Sequence, residues 1–208
     1  MPHKTLIIDN YDSFTYNLLH AAATLGAEPT VHYNDAISLE EITELHPSHI
    51  IISPGPGTPD RAEDMGICTQ VIDAVMNPAS PLYQIPLLGV CLGHQGIAHH
   101  LGARIIHAPE PVHGKTSEIK HTSRSDLFKH IPSTFTAMRY HSLIIDEPSL
   151  PQELIVTART DDAHHLIMAI EHSTLPLFGV QFHPESIGTP DGLTLLRNFL
   201  SKQSGRRA

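Results

Sequence analysis

Leu87-Leu88-Gly89-Val90-Cys91-Leu92-Gly93-His94-Gln95-Gly96 joins two different periodicities. The apolar run from Pro86 to Val90 predicts a buried strand, and an apolar-periodic helix follows through Ile97 to Leu101. Gly89 and Gly93 flank Cys91 as Gly-x-Cys-x-Gly, the spacing of a nucleophile elbow with a thiol in place of the hydroxyl. Glycine at both flanks permits a sharp strand-to-helix turn without a Cβ clash. The turn lifts the sulfur out of the sheet edge and leaves the first N–H groups of the helix unpaired beside it. Their partial positive charge favours thiolate. A lone cysteine after a buried strand also fits a small core residue, so other residues must separate the two readings.

Toward the N-terminus the same strand-then-helix grammar repeats. Leu6-Ile7-Ile8-Asp9-Asn10 reads as a first strand, with Asp12 or Ser13 as the cap of a helix carrying Phe14, Leu18, Leu19, Ala22 and Leu25. Thr30 to Tyr33 is a second strand, Ser38 to Leu45 a short helix, and Ile50-Ile51-Ile52 a third strand. Such alternation predicts a parallel sheet covered on both faces. The third strand runs into Ser53-Pro54-Gly55-Pro56-Gly57-Thr58-Pro59, with three prolines and two glycines in seven residues. That loop is stiff and poor in donors, so the N–H groups of Gly55 and Gly57 are free to face a ligand. In a doubly wound sheet it lies at the carboxyl edge, beside the elbow.

A helix is expected from Met65 to Met76, then a Pro-containing loop from Asn77 to Gln84. Beyond the elbow helix the pattern changes to short strands at 104–106, 118–120, 135–138, 154–158 and 166–170, with few helices between them. They are expected to extend the sheet and to form a smaller second one. The expected class is therefore α/β: an open, mostly parallel sheet with helices on both faces plus a small additional antiparallel sheet. No linker or repeat divides the 208 residues, so a single domain is expected, with a polar, basic tail fraying from Leu200 to Ala208.

Composition excludes several classes. A formal net charge of −9 argues against a sequence-independent nucleic-acid binder. Two cysteines, Cys68 and Cys91, give no disulfide framework, and Cys68 shares a helical pattern with Val71, Ile72 and Val75 that suits the core. The first apolar run is too short for a signal peptide, and no segment approaches membrane-spanning length, so a soluble cytoplasmic protein is expected. The 17 histidines are scattered, and no metal site is read from them.

A second reactive piece comes late. The strand Leu177 to Phe182 runs into His183-Pro184-Glu185. Residues two apart in extended chain point the same way, so Glu185 can lie beside the His183 imidazole, fix its tautomer and favour its protonated form. An elbow cysteine after one strand and a His–Glu pair after another are the parts of a thiol hydrolase.

With these residues the chain resembles the class I (triad) glutamine amidotransferases. Within them it is similar to the small glutaminase subunits of anthranilate synthase and aminodeoxychorismate synthase. The matching motifs are Asp9-Asn10-Tyr11-Asp12-Ser13-Phe14-Thr15-Tyr16-Asn17, Ser53 to Gly57, Gly89 to Gln95, His113-Gly114-Lys115-Thr116, Arg139-Tyr140-His141-Ser142-Leu143 and Gln181 to Ser186. The resemblance implies that Cys91 attacks the side-chain amide of glutamine, that His183 is general acid and base, and that Glu185 orients it. It implies an oxyanion hole from the N–H groups of Gly57 and Leu92, and glutamine binding by Gly55, Pro56, Gly57, Gln95, Ser142 and Leu143. It further implies no cofactor, and a partner, a chorismate-binding synthase large subunit, that receives the ammonia.

Three rivals stay open at this stage. A stand-alone thiol hydrolase of γ-glutamyl compounds would share the elbow and triad. A non-catalytic subunit would have no need of both Cys91 and His183. The glutaminase of another amidotransferase, such as the one making guanylate, is expected to carry a fused synthase domain for which 208 residues leave no room.

Overall fold

The computed structural model describes residues 3–203. Its centre is a nine-stranded sheet in the order β2-β1-β3-β4-β11-β10-β9-β6-β7. The strands are β1 (Lys4–Asp9), β2 (Glu28–Tyr33), β3 (His49–Ile52), β4 (Leu87–Val90), β6 (Lys115–His121), β7 (Thr134–Arg139), β9 (Leu154–Thr160), β10 (Ile167–His172) and β11 (Leu177–Val180). The five strands β2, β1, β3, β4 and β11 run parallel, and every pair beyond β11 is antiparallel. A separate two-stranded antiparallel sheet pairs β5 (Ile105–His107) with β8 (Leu143–Ile145). This is the α/β arrangement expected from the sequence.

Alternation along the central strands sorts side chains to two cores. Leu6, Ile8, Ile50, Ile52 and Leu87 pack on one face with α2 (Leu39–Leu45), α4 (Cys68–Met76) and α5 (Leu92–His100). Ile7, Ile51, Leu88 and Val90 pack on the other with α1 (Thr15–Thr24) and α6 (Gly192–Leu200). Ser38 caps α2 in a reciprocal box with Glu41.

Three expectations are corrected. The helix expected from Met65 to Met76 is two pieces, α3 (Ala62–Met65) and α4, because the chain turns at Gly66 with φ 48°. Neither Asp12 nor Ser13 is the N-cap of α1; Phe14 is, and Asp12 Oδ2 accepts from the Phe14 N–H at 2.7 Å. The tail does not fray from Leu200. That residue ends α6 and is buried, while residues 204–208 lie outside the described residues.

Helix α6 was not foreseen. It covers the second core with Leu195, Leu196, Phe199 and Leu200. Phe199 is fully buried, edge-on to His49 at 5.3 Å and Phe178 at 6.3 Å between centroids. Phe199→Ala is expected to lower unfolding free energy by about 3–5 kcal/mol, because the cavity lies under the central strands. Denaturant titration checks this; a change below about 1 kcal/mol would mean α6 is not integral to the core.

Candidate active site

The register of two parallel strands builds the site. Gly179 and Val180 of β11 pair with Gly89 and Val90 of β4. The segments that follow, from Cys91 and from Gln181, therefore emerge side by side, and the Cys91 N–H donates to Val180 O at 2.9 Å. The turn at Cys91 is sharp, with φ 52° and ψ −98°, a region that costs a non-glycine residue on the order of 1–3 kcal/mol. The strained dihedral thus belongs to the cysteine itself. The flanking glycines act by close approach. A Cβ on Gly89 would lie 2.4 Å from the Gly93 carbonyl, and one on Gly93 would lie 2.6 Å from Ile52 O. The first helical bond runs from the Gln95 N–H to Cys91 O at 3.0 Å, so the N–H groups of Leu92, Gly93 and His94 have no acceptor within the helix.

His183 stands across from the thiol. Its Nδ1 bonds Glu185 Oε1 at 2.6 Å, with both side chains almost wholly buried. The loop is held rigidly: the His183 N–H donates to Met138 O, and Thr189 Oγ1 donates to His183 O. The Tyr140 ring meets the imidazole edge-to-face at 4.9 Å, and Phe14 stacks on Tyr140 at 5.2 Å. Burial opposes the charged imidazolium, but bonding and charge from Cys91 and Glu185 outweigh it and hold His183 up at about 10. Nε2 itself makes no bond of full hydrogen-bond geometry, and Cys91 biases it by proximity. The other cysteine is unlike it. Cys68 is fully buried, its thiol is pushed up by burial, and its Sγ lies 3.3 Å from Asn10 Oδ1.

Two clefts meet at Cys91. One, of about 170 Å³, is lined by Gly55, Pro56, Gly57, Cys91, Leu92, Gln95, Tyr140, His141, Ser142 and Leu143. It brings together every residue that the resemblance implied for oxyanion and glutamine binding. The second, of about 320 Å³, shares Gly55, Pro56, Cys91 and Tyr140 and adds Tyr11, Asp12, Phe14 and His183. A larger groove of about 650 Å³ lies beside the small sheet, shares only Leu143 with the first and is lined by neither cysteine.

Polar side chains set the floor of the first cleft. Gln95 Nε2 donates to Leu143 O and to Gln181 Oε1, both at 3.1 Å. With both its N–H bonds engaged, Gln95 offers a ligand its carbonyl oxygen. Arg139 Nε donates to His141 Nε2 at 3.0 Å, which puts the His141 proton on Nδ1, and this donates to Leu143 O at 3.0 Å. Burial and the Arg139 charge push His141 down to about 3, so it stays neutral. Gly57 has φ 94°, and a Cβ there would lie 2.2 Å from Asp64 Oδ2, the oxygen that accepts from the Thr58 N–H at 3.0 Å. Among the described residues, no group accepts from the Gly57 N–H. Sequence reasoning gave no role to Gln181, Arg139 or His141, although their segments carry the motifs quoted above. Nothing in their spacing reveals that two Gln side chains from different strands meet.

A buried Cys beside a His–Glu pair, with unpaired N–H groups and a polar cleft, is equipped for acyl transfer from an amide. The chain belongs to the glutamine amidotransferase class-I family, which it matches over residues 6–203. It is 50% identical over 196 residues to anthranilate synthase component 2 of Azospirillum brasilense, covering 94% of each chain. It is 48% identical over 201 residues to the protein of that name from Methanothermobacter thermautotrophicus, covering 94% of this chain and 97% of the relative. It is also 47% identical over 206 residues to aminodeoxychorismate synthase of Streptomyces griseus, covering 98% of this chain but 27% of that longer protein. A solved glutamine amidotransferase from Thermotoga maritima shares the fold, with TM-score 0.75 at 16% identity, covering 99% of this chain and 100% of that one. No helix among the described residues is long and apolar enough to cross a membrane.

Proposed function

We propose that this chain is the glutaminase subunit of a chorismate-aminating synthase. It hydrolyses glutamine to glutamate and ammonia and delivers the ammonia to a chorismate-binding large subunit in a hetero-oligomer. Relatives named anthranilate synthase component 2, near 50% identical over almost their whole length, support this pathway over the guanylate one. The match to part of a longer aminodeoxychorismate synthase is consistent with a folate role, a tryptophan role or both. The reading treats residues 1–208 as one amidotransferase domain, working in the cytoplasm without a cofactor, membrane or nucleic acid.

The observation that carries the reading is the first cleft, where the Cys91 sulfur shares one small polar volume with Gly55, Gly57, Leu92 and Gln95. Glutamine lies there with its α-ammonium on Gln95 Oε1 and its backbone end near Ser142 and Leu143. The thiolate attacks the side-chain amide carbon, and the developing oxyanion takes the N–H groups of Gly57 and Leu92. His183 protonates the departing nitrogen, so ammonia leaves and a glutamyl thioester remains. Neutral His183 then removes a proton from water, which attacks the thioester and releases glutamate and the thiolate. Glu185 holds the proton of the imidazole on Nδ1 and supports its charge. Among the described residues no metal-binding cluster of His, Cys, Asp and Glu occurs, and the steps above require none.

An electrophilic glutamine analogue, reactive at the amide position, tests the assignment. It is expected to label Cys91, to be blocked by excess glutamine, and to spare Cys68. Labelling mainly at Cys68, read by peptide mass spectrometry, would sink the reading.

A further inference from the structure

Gln181 is the first residue beyond β11, and its side chain is fully buried. The β4–β11 register sets it beside Cys91. Its Nε2–H donates to Cys91 Sγ at 3.6 Å, a hydrogen-bond distance for the larger sulfur atom. Its Oε1 accepts from Gln95 Nε2. The direction of each amide follows from the end of the network. Leu143 O can only accept, so the Gln95 nitrogen faces it. That nitrogen has a second N–H, so the Gln181 oxygen faces Gln95 and the Gln181 nitrogen faces the sulfur.

A neutral donor fixed on sulfur favours thiolate over thiol, since a hydrogen bond to a charged acceptor is about twice as strong as a neutral one. We propose that Gln181 is a positioning residue of the glutaminase: its carboxamide holds the Cys91 sulfur by donation from Nε2 and ties it to Gln95, setting the nucleophile and the amino-acid-binding side chain as one unit. The word glutaminase rests on the function proposed above; the link between Gln181 and the thiolate does not.

The test is the pH dependence of Cys91 alkylation by iodoacetamide in the full chain, read by peptide mass spectrometry, with glutamine hydrolysis measured in parallel. The other titratable groups around the thiol are His183 with Glu185 behind it, Asp12 from the loop after β1, Tyr140 and His141 between β7 and β8, and His94 in α5; all are unchanged in the variants. Gln181→Met removes donor and acceptor. It is expected to move the alkylation midpoint up by about one pH unit, to lower kcat about tenfold, and to raise KM as Gln95 loses its anchor. Gln181→Glu keeps an acceptor for Gln95 but sets a carboxylate against the sulfur. It is expected to move the midpoint at least as far while returning KM toward the wild-type value. If the Met variant does not fold, Gln181→Ala, which also removes the donor without adding a charge, takes its place. An unmoved midpoint in a folded variant overturns the proposal. A moved midpoint, in a chain whose wild type fails to hydrolyse glutamine even in complex with the large subunit, keeps the Gln181 link and overturns the glutaminase reading alone.

Discussion

Cys91→Ser is expected to abolish glutamine-dependent synthesis by the complex while leaving synthesis from added ammonium salts intact. Serine is nearly isosteric, so the strained turn at φ 52° and the Cys91 N–H bond to Val180 O are kept. What is lost is the sulfur nucleophile, because a serine hydroxyl is a much weaker nucleophile at its ordinary pKa. Loss of a nucleophile from a triad costs on the order of 10⁶ in kcat. The ammonium-dependent reaction is expected to survive because, in the proposed function, its chemistry belongs to the partner. The readout is product formation with each nitrogen source; equal loss of both would mean that the substitution damages assembly and not the thiol chemistry.

The second large effect separates His183 from Glu185. His183→Ala removes the side chain proposed to protonate the leaving nitrogen and then activate water, and nearly all glutaminase activity is expected to go. Glu185→Gln keeps an acceptor for Nδ1 but removes the charge that supports the imidazolium, and it is expected to cost less, up to about 10⁴-fold. It also changes the pH profile. His183 is held up at about 10 against an ordinary 6.5, so it stays protonated through neutral pH and loses its proton on the alkaline side. The alkaline limb of activity is expected to fall to lower pH in Glu185→Gln. The same raised group stabilises the fold fully below about 6.5, and that contribution is lost as pH rises through its folded value. Thermal melts of wild type and His183→Ala are therefore expected to converge as the medium becomes alkaline. A Glu185 variant equal to or worse than the His183 variant, in folded protein, would contradict these roles.

The central strands were legible because burial on both faces makes their middles apolar: Leu6-Ile7-Ile8, Ile50-Ile51-Ile52 and Leu87-Leu88 read as strands before any contact is known. The elbow was legible for a different reason, since glycine four residues from glycine around a cysteine reports a close approach, seen as Gly89 against Gly93 and Gly93 against Ile52. Helix α6 carries a readable signal, Leu195, Leu196 and Phe199 at helical spacing, hidden by its nearness to a basic tail. The break at Gly66 was not readable, because an apolar pattern from Met65 onward continues through it while the backbone turns against Asn34 O. Least legible was the polar floor of the cleft. Gln95 and Gln181 are 86 positions apart, and only the register of β4 on β11 brings them together.

The most direct test of the account is steady-state glutamine hydrolysis by the free chain and by its complex with the chorismate-aminating large subunit, the latter with and without chorismate. Gly57 lies in a loop latched to Asp64, and its N–H is one of the two proposed oxyanion donors. A partner pressing on that loop, or on Tyr140 to Leu143, is expected to bias the N–H toward Cys91, and an oxyanion donor out of place costs on the order of 10²–10³ in rate. The account predicts a slow free chain and a rise mainly in kcat on assembly, largest with chorismate bound. A free chain that already turns over at the rate of the complex would contradict it and favour a stand-alone hydrolase.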